Sequence, residues 1–202
     1  MTFEVEIKAR LKNPAETEAR VAALGDFAKE SYKRDVYFRR RGETNPAPIP
    51  RYRLRQMDGH AIVTFKKRQV NGGVEMNDET EFEVDDSHHF FKFVDYLGFE
   101  PFVVKHKRSR VYRLGRASVE LNEVEHLGHF VEIEILCDDS ATVLIARTEV
   151  ARLMNRLGLT ADDLEPRMYI ELIQAAHPVR YRFVHDRARD WPFEEIDHLT
   201  CS

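Results

Sequence analysis

The sequence predicts an α+β fold: about eight antiparallel strands closing into a barrel with a charged, polar lumen, and helices packed outside. Three observations point there. Residues 1–11 alternate strictly, with Phe3, Val5, Ile7, Ala9 and Leu11 on one face and Glu4, Glu6, Lys8 and Arg10 on the other, because successive strand side chains point to opposite sides. Later strands carry the same concentrated charge with the signs sorted: Arg51, Arg53 and Arg55; Lys66 and Arg68; Glu79, Glu81 and Glu83; Glu132 and Glu134. Segments of helical spacing fall between groups of strands rather than among them. One amphipathic strand alone is an ordinary surface strand, and repetition is what argues for more. Such strands can form a sheet covered by helices on its apolar face, or a barrel whose closure removes the edges; the sorted charges favour the barrel.

The elements follow in order. Asn13-Pro14 starts a helix over 14–24, with Asn as N-cap, Pro at the first helical position and Gly25 as the stop. A strand is expected over 32–40, and Gly42 to Pro50 reads as a loop because its prolines cannot donate to a ladder. Arg51 to Met57 and His60 to Arg68 form the clearest hairpin, joined by Asp58-Gly59. After a turn at Asn71-Gly72-Gly73 comes a strand over 79–85. Asp86 or Ser87 then caps a helix with Phe90, Phe91, Val94 and Leu97 at helical spacing. Strands over 102–114, 117–124 and 130–137 precede a helix opened by Asp139 or Ser140, striped by Val143, Ala146, Val150, Leu153 and Leu157. A last helix is expected over 168–176. Residues 1–176 are read as one domain and 177–202 as a polar, mixed extension, partly ordered or packed on the outside.

Composition narrows the partners. A chain of 202 residues with 43% apolar content buries a real core. Its formal charge of -4 offers no cationic field for a long nucleic acid, so a small anion is the more natural guest. Two cysteines, Cys137 and Cys201, without C-x-x-C spacing argue for a reducing compartment and against a thiolate metal site. No signal segment or membrane-length apolar run stands in the sequence, and the expected location is cytoplasmic. His88, His89, His126 and His129 fall in loop or helix-start settings and are read as surface residues.

Several motifs, in order over roughly residues 2–173, resemble one family. Glu4-x-Glu6-x-Lys8 is similar to the E-x-E-x-K signature of the CYTH superfamily, the triphosphate tunnel metalloenzymes. Asp35-Val36-Tyr37-Phe38 resembles its D-x-Y-F segment, Arg53 and Arg55 its R-x-R strand, and Thr64-Phe65-Lys66 its T-Y-K strand. Glu81 and Glu83 stand where it has paired acids. VELNEVEHLGHFVEIE, from Val119 to Glu134, is similar to the class IV adenylate cyclase-like branch, as is the stretch around Arg167, Tyr169 and Leu172. The chain departs from the pattern at Asn122, where Asp is usual, and at Met168, where Ser is common. It departs again at Ser109, where counting back from Tyr112 through Lys107 calls for Arg. A one-residue shift or bulge would bring Arg108 or Arg110 into that role.

The resemblance implies a tunnel-shaped barrel and a metal-dependent reaction on a small triphosphate. Lys8, Arg53, Arg55, Lys66 and Lys107, with Arg108 or Arg110, are the implied phosphate contacts, the arginines as planar forks and the lysines as point charges. Glu4, Glu6, Glu132 and Glu134 are the implied metal ligands, and a carboxylate set selects a hard ion such as Mg2+ or Mn2+. Catalysis falls to Glu4, Glu6, Lys8 and Lys66, with Asp35, Glu81, Glu83 and Asn122 in support. A hydrolase sends metal-held water to the terminal phosphorus, whereas a cyclase sends the ribose hydroxyl to the α-phosphorus. A module that binds polyphosphate without turnover is the alternative from another class. A strand-rich nucleic-acid binder is disfavoured by the acidic balance. A homodimer is entertained as a further partner state.

Overall fold

The computed structural model describes residues 3–45, 51–71, 74–139, 141–184 and 191–196. The elements are β1 (Phe3–Arg10), α1 (Pro14–Leu24), β2 (Asp26–Arg40), β3 (Arg51–Met57), β4 (His60–Asn71), β5 (Val74–Glu83), α2 (Ser87–Tyr96), β6 (Phe99–Leu114), β7 (Ala117–Val124), β8 (Gly128–Cys137), α3 (Val143–Arg156), α4 (Tyr169–Ala176), β9 (Arg180–Phe183) and β10 (Phe193–Ile196). A turn of 3-10 helix at Ala161–Asp163 precedes α4. No helix among the described residues is long and apolar enough to cross a membrane.

Local chemistry accounts for the boundaries. The Asn13 side chain accepts from the Glu16 amide at 3.4 Å and Pro14 opens α1. Gly25 ends α1 in extended backbone. Its need is space, because a Cβ there would meet the Arg113 carbonyl oxygen at 2.4 Å. Asp58 and Gly59 both have positive φ, 54° and 83°, as a two-residue hairpin turn of the twist-matching kind requires. Asp86 caps α2 through the His89 amide at 3.0 Å. α3 begins two or three residues after the expected opening at Asp139 or Ser140, with Thr142 as N-cap and Asp139 accepting from the Thr142 amide at 2.9 Å. Ser140 lies outside the described residues, as do positions 46–50 and 72–73 of the two expected turns.

The strands form one eight-stranded sheet in the order β1-β8-β7-β6-β2-β3-β4-β5, with β9 and β10 as a separate pair. This corrects the expected closed barrel. The order runs from β1 at one end to β5 at the other, and no register joins those two among the described residues. Part of the reason lies on the outer side of β1. Leu164 bridges Ala9, and the Glu165 amide donates to the Lys8 carbonyl at 2.8 Å, so a returning loop occupies the edge that closure would need.

The chain divides into two compact units, Met1–Tyr32 with Arg68–Asp78 and Lys107–Arg167, and Lys33–Lys67 with Glu79–His106 and Met168–Ser202. In the first, the apolar faces of β1, β7 and β8 (Val5, Ala9, Val119, Leu121, Val131, Ile133, Ile135) pack with Val143, Ala146, Val150 and Leu153 of α3 and Val21 of α1. The alternation of β1 thus puts its odd residues into a helix-covered core and its even residues on the other face. In the second, Val36, Phe38, Leu54 and Val63 pack with Phe91 and Val94 of α2 and with Trp191. The described part of the extension is therefore joined to a core: Trp191 is 4% exposed, its ring centroid 5.2 Å from that of Phe91.

Candidate metal and phosphate site

In the first unit, register assembles the acids. On β1 and β8, Glu6 lies opposite Glu134 and Lys8 opposite Glu132. On β7, Glu120 lies opposite Glu132. Directly opposed side chains share a face, so Glu4, Glu6, Glu120, Glu132 and Glu134 stand together on the face away from the α3 core. Like charges across a ladder repel, and the strain shows at Glu6, whose carboxyl is pushed up to about 8. Loss of hydration is the largest cause, followed by repulsion from Glu132, Glu4 and Glu134, with Lys107 pulling the other way. Glu6 also keeps an exposed surface. Register fixes the like charges that drive the shift, and the exposed surface lets solvent temper it.

Lys107 answers some of that charge. Its ammonium, 5% exposed, lies 3.1 Å from Glu120 Oε2 and 3.1 Å from Glu132 Oε2. Asn122 Nδ2 donates to the same Glu132 oxygen at 2.8 Å, and Ser109 Oγ donates to Asn122 Oδ1 at 2.6 Å. The Lys8 ammonium donates to the Arg167 carbonyl. Five carboxylates thus share this face with Lys8 and Lys107. The donors are all carboxylate oxygens, so the set suits a hard divalent cation. Among the described residues no three carboxylates already converge as a ligand set, and binding an ion requires side-chain movement.

In the second unit the basic residues surround Asp35, which is 0% exposed. Arg55 grips it with both prongs, Nε to Oδ1 at 2.7 Å and an Nη to Oδ2 at 2.9 Å, and Lys105 Nζ lies 2.9 Å from Oδ2. Burial pushes the Asp35 carboxyl up, but the Lys105 charge and then Arg55 outweigh it and hold it well below the usual carboxylate range. Tyr37 is similar: burial pushes its phenol up, and Lys105, 3.3 Å from its hydroxyl, leads the charges that bring it below the usual value. Arg53 donates to Thr64 Oγ1 at 2.9 Å, and Thr64 donates to Glu81 at 2.7 Å. Glu83 pairs with His60. The Lys66 side chain lies outside the described residues; its backbone pairs with Arg51.

Lys105 has no place in the motif reading, although strand alternation offers it, since Lys105, Lys107 and Ser109 share one face of β6. Arg108 and Arg110 lie on the opposite face. An unbroken register from Lys107 to Leu114 leaves no bulge to turn them, and they pair with Glu30 and Glu18. The same unit as Asp35 has a cavity of about 870 Å3 lined by Arg39, Arg41, Arg182, Glu100 and Asp95 among others. There Arg39 meets Glu100 at 2.9 Å, Arg41 meets Asp95, and Arg182 meets Glu194. These charges are answered in place, and the cavity holds none of the acid-face residues.

Known proteins that resemble the chain include the following. It is 26% identical over 174 residues to adenylate cyclase CyaB of Aeromonas hydrophila, covering 85% of this chain and 89% of that protein. It is 31% identical to the solved PH1012 protein of Pyrococcus horikoshii OT3, with a TM-score of 0.71 over 84% of this chain and 98% of that one. HpAC1 of Hippeastrum, described as a candidate adenylyl cyclase with a dominant triphosphatase activity, shares the fold at 18% identity and a TM-score of 0.63, over 85% and 95% of the two chains. The model of the CYTH domain matches residues 2–169. The chain belongs to the CYTH domain family.

Proposed function

We propose that the protein is a metal-dependent enzyme acting on a triphosphate, by hydrolysis or by cyclisation of ATP. The observation that carries the reading is the acid face. Glu6 and Glu134 are opposed across a ladder, Glu4 and Glu132 stand beside them, and among the described residues of β1, β7 and β8 no histidine or cysteine shares the face. Such a set is stabilised by a hard divalent cation, Mg2+ or Mn2+. When bound, the ion supplies neutralisation of phosphate charge and activation of the attacking hydroxyl or water. Glu4, Glu6, Glu132 and Glu134 are the ligands in this reading. Lys8, Lys107, Arg53, Arg55 and Lys66 take phosphate oxygens, and Lys8 and Lys66 act on the reacting phosphate. Asp35 orients Arg55 through its bidentate pair, and Glu81 holds Arg53 through Thr64.

Support for cyclisation comes from the kinship with CyaB, and support for hydrolysis from the fold shared with HpAC1. The two reactions share one charge clamp and differ in which phosphorus lies in line with the nucleophile. Purified protein incubated with ATP, thiamine triphosphate and tripolyphosphate, with Mg2+ or Mn2+, is expected to release phosphate or pyrophosphate only when the ion is present. Cyclic AMP identifies the cyclase, and phosphate without it the hydrolase. Tight tripolyphosphate binding with no product under either ion would replace this reading by the binding module.

A further inference from the structure

We propose that Asn122, oriented by Ser109, is a positioning residue that holds the Glu132 carboxylate for cation binding; the proposal rests on the metal reading above. Ser109 and Asn122 face each other across the β6–β7 ladder, 0% and 2% exposed. With the Ser109 hydroxyl donating to Oδ1 at 2.6 Å, the amide group is left to donate to Glu132 Oε2 at 2.8 Å. The flipped amide would point its oxygen at a carboxylate oxygen, acceptor against acceptor, so the network admits one orientation. The amide is thereby fixed from below by one buried hydroxyl, and it fixes Glu132 from the side.

The chemistry of residue 122 matters here. An Asn donates a hydrogen bond without adding charge, where a carboxylate would set a further like charge against Glu132. Lys107 adds a second donor to the same Oε2 at 3.1 Å. Glu132 is thus anchored through one named oxygen by two groups of the sheet. Two of the three positions at which the chain departs from the familiar motif pattern, Ser109 and Asn122, are one hydrogen-bonded pair. A Ser without the Asn, or the Asn without the Ser, loses the orientation.

The test is Mn2+ affinity, read by electron paramagnetic resonance of the free ion, beside the melting midpoint of each variant. Asn122→Leu keeps the size and removes the donor, and is expected to weaken Mn2+ binding roughly 10- to 100-fold, the usual effect of losing a partner of a metal ligand. Ser109→Ala is expected to give a smaller loss in the same direction, with Ser109→Thr restoring wild-type affinity. Should Asn122→Leu fail to fold, the Ser109 pair alone decides. Variants that bind Mn2+ like the wild type overturn this proposal and leave the metal reading intact. A wild type that binds no Mn2+ removes the metal reading and this proposal together.

Discussion

The Lys105 ammonium lies 2.9 Å from Asp35 Oδ2, and the two side chains are 4% and 0% exposed. A buried ion pair of this kind adds little over an apolar replacement of both partners, yet removing one partner strands a charge. Lys105→Met leaves Asp35 to Arg55 and the Arg53 charge and is expected to cost about 3 kcal/mol in urea denaturation. A loss under about 1 kcal/mol would mean that Arg55 suffices.

The raised Glu6 carboxyl is expected to contribute to the pH dependence of the metal-free protein. A carboxyl at about 8 in the folded chain, against 4.5 ordinarily, keeps its proton after the unfolded chain has lost its own. Folding is unpenalised below the lower value, loses stability as the pH climbs between the two, and carries the full penalty above the higher. The melting midpoint should therefore fall between about pH 5 and about pH 8.5, and Glu6→Gln should flatten that slope. An equal slope in the variant would assign it to another group.

Glu165 acts in acid. Side-chain hydrogen bonds from Arg167 are the main cause that brings its carboxyl down to about 2, with burial opposing and Arg10 helping. Its stabilisation is present above the ordinary 4.5 and disappears as pH falls toward the folded value. Since Arg167 and Arg10 are 57% and 43% exposed, the contribution is discounted to about 1–2 kcal/mol. Glu165→Gln should narrow the gap in stability between about pH 6 and about pH 3 by that amount, as measured by urea denaturation. An unchanged gap would show that the pair adds nothing.

At Gly25, any side chain meets Arg113 backbone and the Leu114 side chain at 2.4 Å. Backbone cannot step aside as a flexible side chain does, so Gly25→Ala is expected to destabilise by about 1–3 kcal/mol. Calorimetry checks it, and an unchanged midpoint would contradict the close approach.

Trp191 lies beyond the matched CYTH segment and inside an aromatic group with Phe91 and Phe193, with the Arg34 guanidinium 3.9 Å from its ring. Trp191→Ala should cost about 3–5 kcal/mol, the range for emptying a buried aromatic site. A cost below about 1 kcal/mol would mark the packing as incidental.

What the sequence made legible was local. The even face of β1, the Asp58-Gly59 turn and the apolar stripe of α3 are written in neighbouring residues, and all three stand in the structure. The first third of β2 was hidden because Asp26 to Glu30 are all exposed, and a strand wetted on both faces leaves no alternation. The open order of the sheet was hidden for another reason. Whether first and last strands meet depends on what else reaches the β1 edge, and Leu164 has no local sequence mark for that task. Of the site, the glutamates of β1 and β8 were readable from period two. So was the shared face of Lys105 and Lys107, but not what Lys105 meets, since Asp35 is a partner on another strand.

The return of residues 164–167 to β1 also has a meaning for biosynthesis. The Lys8 ammonium is held by a carbonyl 159 positions downstream, and the strand's other neighbour, β8, is likewise a late segment. A nascent chain that has exposed its first strand thus waits for most of translation before both neighbours of that strand are available.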